Sequence, residues 1–459
     1  MVVFSPVASS ILEQLRSIVG ADNVSTGESE LKLHSEDQSF HEPHLPEVVV
    51  WPTEAQQVAD ILMLANEQSI PVTPWGAGSS LEGNPIPLHG GILMSFARMD
   101  QVIKVHSEDF QVTVQPGKPY KDLNKALGCY GLFFPPDPGA NATIGGMLAN
   151  NAAGIRTVKY GASKDNVLAM QVALADGRLI RVGSRSIKQS AGYNLMQLFV
   201  GSEGTLGIIT EATLKLSPIP EHRITMVASF PDIEHAVEAV VAVRGSGIDV
   251  AALEFLDTPT AKLILGKLGI APNPALLMEV YNAHHNALES DVAIVSAICE
   301  ELEADFKAFT DPDQQKTIWE QRHKAYETMI QAYPQHKFFV MDVAVPISAY
   351  PELVLYSREQ IAKHQLAVSV PVGHAGDGNL HVTMAYQNDE ELKQVKAINE
   401  AILKKAIALG GTVTGEHGVG IGKQAYMRDE HGEAVEVMRM MKNTLDPKGI
   451  LNPGKVLPD

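Results

Sequence analysis

The chain has 459 residues, with 36 Lys and Arg against 54 Asp and Glu, a formal charge of −18 at pH 7. That balance excludes a nucleic-acid binder and a polybasic membrane-surface protein, both of which need clustered Lys and Arg. Hydrophobic residues at 45% suffice for a packed core, and the length suits two or three domains at roughly 150 residues each. An anionic ligand must then be held by a local cation or by backbone amides.

In chain order, Ile11, Leu12, Leu15, Ile18 and Val19 keep a helical period, with Glu13, Gln14 and Arg16 on the other side. This is not the basic-then-apolar pattern of a signal peptide. No apolar run approaches the ~18 residues needed to span a bilayer. Residues 47–51 read as a buried strand. Thr53 with Gln56 forms a capping-box signature before the stripe Val58, Ile61, Leu62 and Ala65, and residues 70–74 read as a second strand. This strand–helix–strand order predicts an α/β beginning.

Alternating strands follow at 102–105 and 112–114, around the polar turn 106–109, and again at 167–174, 179–182 and 206–216. Asp176-Gly177 marks a tight turn. Pro218 and Pro220 predict a boundary. Beyond them a strand at 224–230 and a helix at 233–243 begin a second α/β region that runs to about residue 410. Asn388 with Glu391 caps a helix striped by Leu392, Val395, Ile398, Ile402 and Leu409 and stopped by Gly410-Gly411. Cys129 and Cys299 are too far apart for a CxxC pair and too few for an iron–sulfur site, which predicts two reduced, buried thiols.

Two glycine blocks could wrap a phosphate. The first is Pro74-Trp75-Gly76-Ala77-Gly78-Ser79-Ser80-Leu81-Glu82-Gly83-Asn84, and the second is Pro138-Gly139-Ala140-Asn141-Ala142-Thr143-Ile144-Gly145-Gly146. Small residues let the backbone approach a pyrophosphate and offer it consecutive N–H groups. Leu81 stands where the third glycine of GxGxxG belongs, and there is no GxxxxGK[ST] sequence. A dinucleotide-binding Rossmann unit and a P-loop are therefore not expected. One such block alone is more simply a tight turn. Two of them, with Gly201-Ser202-Glu203-Gly204-Thr205-Leu206-Gly207, favour a wrapped cofactor.

A sharper pattern is Gly373-His374-Ala375-Gly376-Asp377-Gly378-Asn379-Leu380-His381, between two apolar runs. A reversal at Gly-Asp-Gly-Asn would bring His374 and His381 together, whereas on one straight strand they would face opposite sides. Thr414-Gly415-Glu416-His417-Gly418 adds a carboxylate beside a histidine. Two imidazoles and a carboxylate with an open position suit Zn²⁺, Fe²⁺ or Mn²⁺, and His417 is left to act as a base. Arg322 is a candidate for bidentate carboxylate binding. From the sequence alone, a solvated helix-surface arginine is the simpler reading of it.

The ordered set of motifs at 74–83, 134–139, 191–195, 201–207, 373–381, 415–420 and 452–455 resembles the FAD-dependent D-2-hydroxy-acid dehydrogenases of the vanillyl-alcohol-oxidase flavoprotein superfamily. Within them it is most similar to the D-lactate dehydrogenases that pass electrons to an acceptor other than NAD. The resemblance runs from about residue 47 to 455. It implies an α+β fold: a two-part FAD-binding domain of the vanillyl-alcohol-oxidase (PCMH) type and an α/β cap with a mainly antiparallel sheet. The domains expected are 1–220 for FAD, 221–413 for substrate, and 414–459 returning to the FAD domain.

Carried over by motif, Pro74, Trp75, Gly76, Ala77, Gly78, Ser79, Ser80 and Leu81 surround the pyrophosphate. Pro138, Gly139, Thr143, Gly145, Gly146, Asn150, Ala152, Gly154, Ser202, Gly204, Gly207, Ile208, Ile209 and Asn452 line the FAD. His374, His381 and Glu416 would hold a divalent metal (Zn, Mn or Fe), with His417 the base and Arg322 the carboxylate anchor. Relatives with covalent flavin carry a histidine in the first glycine block. Residues 74–84 have none, so noncovalent FAD is expected.

Relatives resembling D-2-hydroxyglutarate dehydrogenases carry a lysine shortly before the aspartate matching Asp342. This chain has Phe338-Phe339-Val340-Met341, and Tyr326 stands where such relatives have a small hydroxyl residue. A second substrate carboxylate would lack a partner. The expected activity is oxidation of D-lactate, or a related small or hydrophobic D-2-hydroxy monocarboxylate, to the 2-oxo acid. D-2-hydroxyglutarate dehydrogenase and a glycolate oxidase FAD subunit are the alternatives. A metallohydrolase using the same His, His and Glu, and an FAD-holding structural subunit, are the rivals from other classes. Expected partners are the 2-hydroxy acid and a separate acceptor (a cytochrome, a quinone or an electron-transfer flavoprotein), without nucleic acid; a homodimer is left open. The expected location is cytoplasmic, peripheral at the inner membrane, or the mitochondrial matrix for a processed eukaryotic chain.

Overall fold

Val48–Val50, the helix Ala55–Gln68 and Val72–Trp75 form the strand–helix–strand beginning read from the sequence, and Val58, Ile61, Leu62 and Ala65 form part of the buried helix face. Both strands pair in parallel with Ile92–Ser95, which lies between them in a four-stranded sheet. The capping differs from the expected Thr53–Gln56 box. The helix starts at Ala55, so Gln57 occupies the third helical position, and its Oε1 accepts from the Thr53 N–H at 2.8 Å. Gln56 reaches Asp60 instead.

A computed structural model describes residues 3–266, 270–364 and 366–458. It divides the chain into two units, one of Met1–Ala153, Gly161–Ile219 and Glu416–Asp459, the other of Gly154–Tyr160 and Pro220–Gly415.

In the first unit a five-stranded antiparallel sheet runs Val102–His106, Gln111–Val114, Ile208–Lys215, Val167–Ala173, Leu179–Gly183. Its inner face packs Val112, Val114, Met170, Val172, Ala212 and Leu214 into one core. The C-terminal tail returns to this unit. Val72 N donates to Ile450 O and Asn452 N donates to Val72 O, each at 2.8 Å, so residues 450–452 lie along the strand that leads into the first glycine block.

The second unit is built on a seven-stranded antiparallel sheet ordered Asp305–Phe309, His222–Ser229, Ala275–Asn282, Val250–Leu256, Ser369–Gly373, Asn379–Tyr386, Lys337–Ala344. Every residue of Val250–Leu256 is buried, and the one charged residue among them is Glu254. Because side chains alternate along a strand, Glu254 shares a face with Ala252. Ala252 is in register with Glu279, and Glu279 with Thr225. The helix Pro312–His323 covers this face: Trp319 Nε1 donates to Thr225 Oγ1 at 3.1 Å, and Arg322 reaches Glu254. Asn388 caps Asp389–Ala408 as expected, accepting from the N–H groups of Glu390 and Glu391.

Among the cysteines, Cys299 is buried, and burial pushes its thiol up to about 12. Cys129 is exposed, against expectation. It follows directly after the helix Tyr120–Leu127, in a short 3₁₀ turn whose three residues all lie outside the core.

Candidate functional site

In the first unit the glycine blocks are tied together by buried polar groups. A Cβ on Gly76 would sit 2.5 Å from Thr143 Oγ1, so the first block can approach the second only as glycine. Thr143 caps the helix Ile144–Asn150, whose first turn holds Gly145 and Gly146. Gly76, Gly78, Ser79, Ser80 and Leu81 are half-buried, as are Pro138, Gly145, Gly146 and Asn150, while Ala77 and Gly139 are exposed. Nothing lies within 4 Å of a Cβ built on Gly139. This half-buried run of small residues and backbone suits the FAD that the motifs imply. Ser202, Gly204, Gly207, Ile208, Ile209 and Ala152 are buried, as is Gly154, which belongs to the second unit. Ile208 and Ile209 point into the two cores, so what they offer a ligand is backbone.

Glu203 fastens this arrangement. Its Oε1 accepts from Val419 N at 2.6 Å, and its Oε2 accepts from Asn84 Nδ2 at 2.6 Å and Gly420 N at 2.9 Å. Burial pushes its carboxyl above the ordinary value despite these donors. Asn452, held at φ 40°, donates from Nδ2 to the carbonyls of Asn84 (3.0 Å) and Glu203 (2.7 Å). The segment with Glu416 and His417 is held in the same unit, where Asn150 Nδ2 donates to His417 O at 3.2 Å. His417 Nδ1 is 3.8 Å from Glu82 Oε1, the oxygen that Lys423 Nζ approaches at 3.0 Å.

In the second unit the reversal between Ser369–Gly373 and Asn379–Tyr386 is made by a 3₁₀ turn at Ala375–Asp377 and by Gly378 at φ 75°. It brings the His374 and His381 rings edge to face, with centroids 5.3 Å apart. Each ring has a buried carboxylate on its Nδ1 side: Glu254 Oε1 at 2.6 Å from His374, and Asp342 Oδ1 at 3.6 Å from His381. Asp342 is fixed by Asn379 Nδ2 (2.6 Å), Thr414 Oγ1 (2.8 Å) and Gly415 N (2.8 Å).

Arg322 is not the solvated surface arginine that sequence alone favours. Its side chain is 14% exposed, and Nε and Nη2 donate to Glu254 Oε2 at 2.9 and 2.6 Å. Burial acts to raise the Glu254 carboxyl, but His374 and Arg322 outweigh it and hold the group below the ordinary value. Two neighbouring imidazoles, one hydrogen-bonded to a buried carboxylate and the other with a buried carboxylate 3.6 Å away, are a donor set that fits a divalent cation.

Sequence reasoning named neither Glu254 nor Glu203 as functional, and used Asp342 only as a landmark. The available signal was a lone charge inside an apolar strand, at Glu254 in 250–256 and at Asp342 in the apolar run 338–345. Tyr326 and Phe338 meet edge to face at 6.2 Å, and Phe338 packs on a cluster of Met329, Val368, Val370 and Ala385.

Comparison with known proteins matches residues 46–183 to the FAD binding domain family and residues 219–456 to the C-terminal domain of FAD linked oxidases. A probable mitochondrial D-lactate dehydrogenase of Danio rerio is 38% identical over 97% of this chain and 91% of its own. A mitochondrial D-lactate dehydrogenase [cytochrome] of Arabidopsis thaliana is 36% identical over 99% and 81%. Glycolate oxidase subunit GlcD of Bacillus subtilis is 35% identical over 98% and 97%. Among solved structures, p-cresol methylhydroxylase superposes with a TM-score of 0.81 at 18% identity, covering 99% of this chain and 98% of its own. That likeness shows the PCMH-type fold. No helix among the described residues is long and apolar enough to cross a membrane.

Proposed function

The chain belongs to the FAD-linked oxidases, and on that premise we propose that it is an FAD-dependent dehydrogenase that oxidises D-lactate, or a related small or hydrophobic D-2-hydroxy monocarboxylate, to the 2-oxo acid. Its electrons pass to a separate acceptor other than NAD, in line with the relative named for a cytochrome. The FAD-binding part is assigned to Met1–Ala153, Gly161–Ile219 and Glu416–Asp459 and the substrate part to Gly154–Tyr160 and Pro220–Gly415, in place of the expected 1–220, 414–459 and 221–413. FAD is held noncovalently.

The observation that carries this reading is the buried cluster of the second unit, where His374, His381 and Arg322 are assembled around Glu254 and Asp342. FAD, held by the glycine blocks, would supply the hydride acceptor at N5. His374 and His381, with Glu416 as third donor on the resemblance, would hold a divalent cation, which would supply Lewis-acid stabilisation of the substrate hydroxyl. Arg322 binds the substrate carboxylate and so fixes which hydrogen on C2 is presented. The His417 imidazole, with Nδ1 3.8 Å from Glu82 Oε1, takes the C2 hydroxyl proton.

The Tyr326–Phe338 pair favours a substrate with one carboxylate. On the resemblance, these two aromatic rings, packed on each other, stand in the stretches where relatives acting on a dicarboxylate carry a small hydroxyl residue and a lysine, which leaves a second carboxylate without that partner. Dye-linked turnover of purified protein with D-lactate, L-lactate, glycolate and D-2-hydroxyglutarate tests the reading. The highest kcat/KM is expected with D-lactate or a longer apolar D-2-hydroxy acid. Preference for D-2-hydroxyglutarate or glycolate would instead favour the two alternative dehydrogenases.

A further inference from the structure

We propose that Glu254 is a positioning residue that fixes the tautomer of His374 and the fork of Arg322 together, so that cation binding and substrate-carboxylate binding depend on the same carboxylate. This rests on the reading of His374 as a cation ligand and Arg322 as the carboxylate anchor.

Glu254 is wholly buried and is the only charged side chain of its strand. An ionised carboxylate only accepts hydrogen bonds. With Oε1 at 2.6 Å from His374 Nδ1, that nitrogen carries the proton, so that in the neutral imidazole the lone pair is on Nε2, the nitrogen a metal would use. The other oxygen, Oε2, takes both Nε and Nη2 of Arg322. The guanidinium plane is therefore set by Glu254, and Nη1 is the nitrogen not engaged on it. A carboxylate buried only for stability would need these partners too, since an unpaired one is costly. The two roles separate when the carboxylate becomes an amide. In Glu254→Gln the amide oxygen can still accept from Arg322, but the NH₂ faces His374 Nδ1 and donates to it. The imidazole proton then moves to Nε2 and blocks the metal-binding lone pair.

The test is equilibrium dialysis of Mn²⁺ alone against the FAD-loaded protein without substrate, on wild type, His374→Ala, Arg322→Met, Glu254→Gln and the double variant Arg322→Met/Glu254→Gln. Bound FAD and melting temperature are read on each. His374→Ala should lose the cation, and Arg322→Met should bind within about threefold of wild type, because its Glu254–His374 bond is intact. Glu254→Gln and the double variant should bind about 10–100-fold more weakly. Glu254→Gln should also raise KM for D-lactate by about tenfold or more through the loosened guanidinium.

If Glu254→Gln does not retain FAD, the double variant decides, since it removes the cation left facing an amide. Affinity within about threefold of wild type in the variants lacking Glu254, while His374→Ala abolishes binding, overturns the positioning role alone. Equal Mn²⁺ binding by wild type and His374→Ala overturns the cation reading and this inference with it.

Discussion

Arg322 gives two of its nitrogens, Nε and Nη2, to the single oxygen Oε2 of Glu254, at 2.9 and 2.6 Å. The guanidinium is thereby part of the interior of the second unit and the proposed anchor for substrate at the same time. Substitution must therefore have two separable effects. Arg322→Lys keeps the charge but not the fork, and should raise KM for D-lactate by about tenfold with little loss of melting temperature. Arg322→Ala strands a wholly buried carboxylate, and should also cost about 3–5 kcal/mol of stability, read by denaturant unfolding. An alanine variant as stable as wild type would show that Glu254 does not depend on the pair.

His417 is assigned the proton-accepting role, and its surroundings lie in the same unit as the glycine blocks. His417→Ala should keep its flavin absorbance at about 450 nm but lose turnover by about 10²–10⁴-fold. Full activity in this variant would remove His417 from the mechanism.

Glu203 accepts three hydrogen bonds from segments around residues 84 and 419–420. Glu203→Ala leaves those donors without their acceptor in a buried place and should destabilise the protein by about 3 kcal/mol or more. Flavin should also be lost more readily on gel filtration, because the loops that Glu203 fastens are the ones expected to wrap it. Unchanged flavin retention would separate the Glu203 network from cofactor binding.

Lys455 is 4% exposed, donates to the Ile86 carbonyl, and is pushed down to about 8, chiefly by burial and against the attraction of Glu203 and Asp37. Its folded value lies below that of an unfolded lysine, about 10.4. Between those values the unfolded chain binds more protons, so stability contributed through this group rises as pH rises from about 8 to about 10.4. Relative to Lys455→Met, wild type should gain about 3 kcal/mol across that window. A constant difference between the two across the same range would contradict the burial argument.

The legible parts of the fold were those set by local periodicity. The strand–helix–strand start, the turn at Asp176-Gly177 and the Asn388 cap each depend on residues within a few positions of one another, and all form as read. The His374–His381 approach was legible for the same reason, since a seven-residue separation and a Gly-Asp-Gly-Asn reversal define a hairpin. What was not legible depends on distant pairing. Glu254 is 68 residues from Arg322 and 120 from His374, and Glu203 is 119 from Asn84, so their partners are fixed only when the sheets assemble. Arg322 shows the cost of local reading: on a helix rich in polar residues it looks solvated, yet it faces a strand that sequence order gives no reason to place beside it.

On the proposed function, a D-2-hydroxy monocarboxylate reduces the flavin of this chain with help from a cation. Anaerobic titration of the FAD-loaded protein with D-lactate, followed by the loss of absorbance at about 450 nm, tests it most directly when run with and without a chelator. D-Lactate should bleach the flavin rapidly and L-lactate little. Chelation should slow it strongly while the flavin stays bound, and Mn²⁺ or Zn²⁺ should restore it. Bleaching that is indifferent to both stereochemistry and chelator, or no bleaching by any 2-hydroxy acid, would contradict it.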